Sequence, residues 1–264
     1  MEGNMDRKKI ELEVLDKQET SNVTADIRLK VRKRPLFTGL EDHAISLKDA
    51  AEITQNFRKW AGKDAIKGGF FGIAAVRQLL SQDGIVGMRY YYGKEDDGRP
   101  VMILVGAKPD GNDLVEGFIL ERAIPCPPFC GWPNPLNGQA WDDYVGSPDA
   151  PKVLPPKNTK PVFTGLEQHL ISLEEASNLA RNYRESVDKD APKGGYFAIA
   201  PLRQLIGQEG IVGMRYYYAM ENDGRRVLVL CGVDAYGNDL FEGFLMERAI
   251  PCPPFCGWPN PLNS

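Results

Sequence analysis

Hydrophobic and polar positions follow a pattern that occurs twice in this chain. Residues 35–137 align with residues 161–263 at a fixed offset of 126, without a gap. In the first copy, the apolar positions with helical spacing are Ile45, Leu47, Ala50, Ile53, Phe57 and Trp60. Ser46 precedes this run and Asp49 stands three residues further on, as in a capping box. Each copy is therefore predicted to begin with a helix after a serine N-cap.

Further along each copy, the pattern predicts a second helix and then three strands. The second helix is expected after the glycines of residues 67–69 and is expected to end near Gly84. Residues 85–92 (IVGMRYYY) and 101–107 (VMILVGA) flank an Asp-Gly turn and predict an antiparallel hairpin. Residues 114–124 supply a third strand. The strand at 101–107 is apolar on both faces, so both faces are expected to be buried. The helices of its own copy can cover one face, and the other copy is the nearest source of a cover for the second face.

Together these elements predict an α+β protein of two tandem homologous domains, residues 35–137 and 161–264. Each domain is expected to hold two helices followed by a three-stranded antiparallel sheet, and the two are expected to pack as a pseudo-twofold pair. The Pro- and Gly-rich residues 138–160 are predicted to be a linker. Residues 1–34 alternate apolar and charged positions, which favours an amphipathic hairpin; a charged disordered arm is the alternative.

Composition narrows the function classes. The 264 residues are 42% hydrophobic and 26% charged, which is typical of a globular protein. The net charge of -4 gives no support for nucleic-acid binding. The chain opens without an apolar leader and holds no apolar run near the ~20 residues of a membrane helix. We expect a cytoplasmic protein without a membrane span, with signal-independent export as the alternative.

Both copies end in the same seventeen residues, ERAIPCPPFCGWPNPLN, at positions 121–137 and 247–263. The prolines exclude a helix interior or a central strand. The tail is predicted to form an extended strip whose aromatic side chains pack on its own domain or dock on another protein. These aromatic anchors are Phe129, Trp132, Phe255 and Trp258.

Four cysteines stand in these tails as two C-x3-C pairs: Cys126 with Cys130, and Cys252 with Cys256. Three states are open: local disulfides, reduced thiols packed in a reducing cytosol, or a zinc site. The spacing permits zinc, although the two prolines inside CPPFC restrict the loop. The candidate metal ligands are the four cysteines with His43 and His169. No other cofactor is expected.

Two arginines lie mid-strand among tyrosines. Arg89 and Tyr91 share one face of their strand, and Arg215 and Tyr217 are their equivalents in the second copy. The main interpretation is an arginine stem stacked on aromatic side chains at the contact between the copies. An arginine that binds a ligand in the cleft between the copies is the alternative.

The sequence shows no acid–base or nucleophile motif, so we expect a non-enzymatic protein-interaction or structural protein. Its partner is expected to be a protein, which includes another copy of this chain. A metal- or thiol-dependent site formed by the paired tails is one alternative. A small-ligand binder in the cleft between the copies is the other.

The segments GIVGMRYYYG, VMILVGA, DGNDLVEG, CPPFC and NPLN resemble a group of small Bacteroidota proteins. Members of that group look like a single unit that ends in a Cys-Pro-rich tail. This chain differs in carrying two units, a linker and an N-terminal arm. The group has no established activity, so the resemblance implies a bacterial source and transfers no catalytic residue.

Overall fold

Serine caps begin the first helix of each copy in the computed structural model, which describes residues 36–138, 141–145 and 161–264. The Ser46 hydroxyl accepts a hydrogen bond from the Asp49 amide at 3.1 Å, and Ser172 does the same for Glu175. The helices of these residues are α1 (Leu47–Ala61), α2 (Ile73–Leu80), α3 (Trp141–Val145), α4 (Leu173–Glu185) and α5 (Ile199–Ile206). Within the described part of the chain, no helix is long and apolar enough to cross a membrane.

The strands form two antiparallel sheets, which with the helices confirms the α+β class. The first sheet has the order β5-β1-β8-β9 and the second the order β10-β7-β2-β3-β4-β6. The strands are β1 (Gly68–Gly72), β2 (Gly87–Lys94), β3 (Pro100–Ala107), β4 (Ile119–Leu120), β5 (Ile124–Cys126), β6 (Leu170–Ile171), β7 (Gly194–Ala198), β8 (Ile211–Met220), β9 (Arg226–Asp234) and β10 (Ile250–Cys252). The predicted hairpin is confirmed, because β2 pairs with β3 along its whole length.

Each sheet combines strands of both copies, so the expectation of one three-stranded sheet within each copy is wrong. Strand β1 of the first copy pairs with β8 of the second, and β7 of the second pairs with β2 of the first. The tails add the short edge strands β5 and β10. The physical reason is that the backbone groups of β1 and β7 form their hydrogen bonds with the central strand of the other copy, β8 and β2 respectively.

The glycines of residues 67–69, predicted to separate two helices, instead open strand β1. A Cβ on Gly68 would overlap the carbonyl oxygen of Tyr216, and one on Gly194 would overlap that of Tyr90. Glycine is therefore required here by close strand approach and not by a turn. The helix that follows ends at Leu80 with Ser81 as its cap, four residues before the predicted stop at Gly84.

A shared core lies between the two sheets. Helices α2 and α5 contact strands of both sheets, and their apolar side chains join Met88 and Tyr90 of one sheet with Met214 and Tyr216 of the other. The face of β3 that carries Met102 and Leu104 points into this core. Both sheets thus contribute their inner faces to one apolar interior.

The outer face of each long hairpin, β2–β3 and β8–β9, is covered by the first helix of the other copy. Helix α4 packs on β2 and β3 through Ala176, Leu179 and Ala180, against Val101 and Ile103 of β3. Helix α1 packs in the same way on β8 and β9. The prediction that the strand at residues 101–107 is buried on both faces is confirmed, with helix α4 as the second cover.

Two predicted segments fall largely outside the described residues. The N-terminal hairpin or arm at residues 1–34 is one of them. The linker at residues 138–160 is the other, except that residues 141–145 form the short helix α3, which the sequence pattern does not predict.

Candidate functional site

The buried arginines form one ion-pair network in each copy. Arg89 has no exposed surface, and its guanidinium donates to the Asp113 carboxylate and, at 2.9 Å, to the Gly111 carbonyl. The Tyr91 hydroxyl donates to the other Asp113 oxygen at 2.6 Å. A buried arginine requires a paired carboxylate and acceptors for its other N–H groups. This arrangement supplies them for the two terminal nitrogens of Arg89, whereas its Nε has no hydrogen-bond partner in the described structure.

The second copy repeats this network with Arg215, Asp239 and Tyr217. Arg215 donates to Asp239 and to the Gly237 carbonyl, and Tyr217 donates to Asp239 at 2.6 Å. Burial opposes the charge on Arg215, but the Asp239 carboxylate outweighs it and raises the pKa of the guanidinium. Burial next to the same carboxylate raises the pKa of Tyr217, so the phenol stays neutral and donates.

The tail of each copy closes the network of the other copy. The Phe255 carbonyl accepts from Arg89 at 2.9 Å, and the Asn260 amide donates to Asp113 at 2.9 Å. The first tail closes the second network with the same contacts, made by Phe129 and Asn134. Each tail docks on an equivalent set of groups, so the same residues are required in both. This requirement is a physical reason for their identity.

The aromatic residues predicted to anchor the tails are not buried. Their exposed fractions are 48% for Phe129, 47% for Trp132, 41% for Phe255 and 65% for Trp258. The anchors are instead Leu136 and Leu262 with Cys126 and Cys252, all fully buried. The predicted extended strip is a short edge strand followed by turns, because backbone and asparagine hydrogen bonds hold the tail in place.

The two histidines join separate segments of backbone. His43 Nε2 accepts from the Ala198 amide at 3.0 Å, so Nδ1 carries the proton and donates to the Arg248 carbonyl at 2.8 Å. His169 makes the same pair of bonds to Gly72 and Arg122. Burial lowers the pKa of both rings, although the carbonyl hydrogen bonds oppose it. Each ring is therefore a neutral structural bridge between the copies.

The four tail cysteines lie in two separate pairs. The sulfurs of Cys126 and Cys130, and those of Cys252 and Cys256, are at disulfide-bonding distance, with 4.7 Å between the Cα atoms of each pair. Among the described residues, no group of three or more His, Cys, Asp or Glu side chains could hold a metal ion. The structure does not bring the candidate ligands together: each histidine uses both ring nitrogens on backbone groups.

A cavity of about 600 Å³ opens between the copies, at the end of the core where Tyr92 and Tyr218 meet. The ring centroids of these two tyrosines lie 6.3 Å apart, with 30° between the ring planes. Phe57 and Tyr183, which occupy equivalent positions in the two copies, pack on them at 5.4 Å and 5.3 Å. Trp60 is 58% exposed and lines the cavity, so its predicted place in the core pattern is wrong.

Polar groups complete this inter-copy cavity. Lys94 and Arg226 line it, and the Arg226 guanidinium lies over the Trp60 ring, 4.7 Å from its centroid. The hydroxyl oxygens of Tyr92 and Tyr218 are buried beside the hydroxyls of Tyr90 and Tyr216. Arg89 and Arg215, the predicted cleft arginines, do not line the cavity.

Sequence reasoning missed two sets of functional candidates. Asp113 and Asp239 follow Gly-Asn in a sequence that is typical of a turn, and the turn alone accounts for them. Nothing further in the sequence indicates that they pair with a buried arginine. The cavity residues Trp60 and Arg226 carry one usable signal. Their equivalents are Ser186 and Pro100, so these are positions where the copies differ in chemical class.

Comparison with family models, with curated proteins and with solved structures finds no match to this chain.

Proposed function

We propose that this chain is a non-enzymatic binding protein whose two copies are related by a pseudo-twofold axis and enclose a small-molecule site. The inter-copy cavity carries this proposal. Its volume lies in the range of small-molecule sites, and its walls are mainly apolar, with five aromatic side chains and a few polar groups. This is the small-ligand alternative of the sequence analysis, moved from Arg89 and Arg215 to the cavity beside Tyr92 and Tyr218.

The other candidate sites support this choice because their groups are already engaged. Each buried arginine is paired with a carboxylate and closed by a tail. Both histidines use their two nitrogens on backbone groups, so neither is positioned as a general base. The cavity is the place where aromatic surface and polar groups face open space.

The test is binding of N-phenyl-1-naphthylamine, an uncharged aromatic probe whose fluorescence rises in apolar surroundings. We expect one site per chain, and about tenfold weaker binding in Trp60→Ser, which installs the residue of the equivalent position 186. Trp132→Ser, an exposed tryptophan in a tail, is the matched control and should bind normally. No saturable binding, or equal loss in both variants, would reject the cavity as the site.

A second candidate function is protein interaction through the tails, favoured by the exposed side chains of Phe129, Trp132 and Phe255. Clustered exposed aromatic side chains are typical of interfaces. We propose a second copy of this chain as the partner. Sedimentation should show a concentration-dependent assembly that Phe129→Ser with Phe255→Ser abolishes. A monomer at all concentrations in the unmodified protein would exclude self-association.

We also propose that both cysteine pairs are oxidised when the protein works, which favours an oxidising compartment over the cytoplasm expected by default. The support is the geometry of the two pairs. Intact mass after alkylation in denaturant, which exposes the buried Cys231 thiol, tests this with and without reduction. One alkylated thiol before reduction and five after it is the expected result. Five alkylated thiols before reduction would contradict the proposal and favour the reducing cytosol.

A further inference from the structure

The inter-copy cavity is built from equivalent positions, but its charges lie at positions where the copies differ. Lys94 corresponds to Met220, and Arg226 corresponds to Pro100. Four aromatic positions remain aromatic in both copies: Tyr92 matches Tyr218, and Phe57 matches Tyr183; the fifth aromatic residue, Trp60, corresponds to Ser186. The cavity therefore has an apolar aromatic interior that both copies build, and two cations at positions that are not repeated.

These two cations are available to a ligand. In the part of the chain that the structure describes, the ion pairs involve other residues, and neither Lys94 nor Arg226 takes part in one. The residues that line the cavity include no Asp or Glu. A neighbouring cavity of about 940 Å³ shares Tyr183, Ser186, Val187 and Arg226 with it. Four carboxylates line only that neighbour: Glu185, Asp188, Asp190 and Asp223.

The tyrosine hydroxyls are closed to a ligand, because the oxygens of Tyr92 and Tyr218 have practically no exposed surface. Burial raises the pKa of both phenols, so they stay protonated near neutral pH. The charged groups that a ligand of this cavity can reach are therefore Lys94 and Arg226.

Resting on the proposed function, we infer that the ligand is an aromatic carboxylate. Its ring packs among Phe57, Tyr92, Tyr183 and Tyr218, beside Trp60. Its carboxylate pairs with Arg226, whose guanidinium is already held over the Trp60 ring, and with Lys94. Charge-assisted hydrogen bonds of an arginine to a carboxylate are about twice as strong as neutral ones, so the charge decides the selectivity.

Calorimetry with 2-naphthoate and 2-naphthamide tests this class, because the two probes share a ring and differ in charge. We expect 2-naphthoate to bind about tenfold more tightly. Arg226→Gln and Lys94→Met should each reduce the preference for 2-naphthoate while 2-naphthamide still binds. Methionine is the residue at position 220, which is equivalent to position 94. Arg225→Gln is the control, because this neighbouring arginine lines only the other cavity.

The outcomes separate the two proposals. Equal binding of the acid and the amide, or a preference that survives Arg226→Gln, would overturn the carboxylate assignment and leave the binding function standing. Binding of neither probe, together with no binding of N-phenyl-1-naphthylamine, would overturn the proposed function itself. Retained binding of the amide by each variant shows that its cavity is still folded.

Discussion

Replacing Asp113 by alanine should destabilise the protein more than most single substitutions. The change leaves the Arg89 guanidinium buried without its carboxylate, and it also removes the acceptor of Tyr91 and Asn260. Breaking a fully buried ion pair by removing one partner costs about 3–5 kcal/mol. With a urea slope of about 2–3 kcal/mol/M, the unfolding midpoint should fall by about 1–2 M.

Comparison with a double variant separates the uncompensated charge from lost packing. Arg89→Met with Asp113→Leu removes both charges, so the double variant should be more stable than Asp113→Ala alone. Glu116→Ala, which removes an exposed carboxylate of the next turn, should leave the midpoint unchanged. A loss below about 1 kcal/mol in Asp113→Ala would refute the reasoning, since Arg89 would then have reached water or another acceptor.

Three further changes have defined outcomes. Burial lowers the pKa of His43 and His169 in the folded protein below 6.5, so the folded rings resist protonation. The free energy of unfolding should therefore be highest above pH 6.5 and decrease as the pH falls below it. The fall should reach about 1.4 kcal/mol per pH unit for each ring in urea titrations. Cys252→Ser should cost about 2 kcal/mol at the urea midpoint, because the closed loop is short. Gly194→Ala should cost about 3 kcal/mol or more in thermal unfolding, because its Cβ meets the backbone of β2.

Controls distinguish each of these effects. Replacing both histidines by glutamine should flatten the pH dependence between about pH 6.5 and 5.5; an unchanged slope would point to other groups. Reductant should destabilise the unmodified protein and have less effect on Cys252→Ser, and equal effects would contradict the bond. Gly138→Ala, where a Cβ meets nothing within 4 Å, should be neutral.

Local features of this fold could be predicted from the sequence because their causes are local. Ser46 caps a helix through a residue three positions away, and the Asp-Gly turn joins β2 to β3. The pairing of β1 with β8 depends instead on segments more than a hundred residues apart. Its one signal, the glycines beside Lys67, is equally typical of a turn. Repeat length and hydrophobic period do not determine which copy supplies a neighbouring strand.

The candidate site was predictable in its residue types and not in its position. The alternation along β2 correctly separates Arg89 and Tyr91 from Tyr90 and Tyr92. It does not tell which face meets a tail and which borders a cavity. The burial of Arg89 also cannot be inferred from the sequence, because an arginine in the middle of a strand can equally stack on aromatic side chains at the surface. In the structure Arg89 is completely buried.

The exchange of tails between the copies has a consequence for synthesis on the ribosome. Arg89 and Asp113 emerge early, but the residues that close them, Phe255 and Asn260, are translated more than 140 residues later. During that interval the first copy carries an open charged pair and an uncovered sheet face. Nascent chains normally complete their domains in order from the N-terminus. Here the network of the first copy cannot close until the tail of the second copy has emerged, so the first copy does not complete its folding in that order.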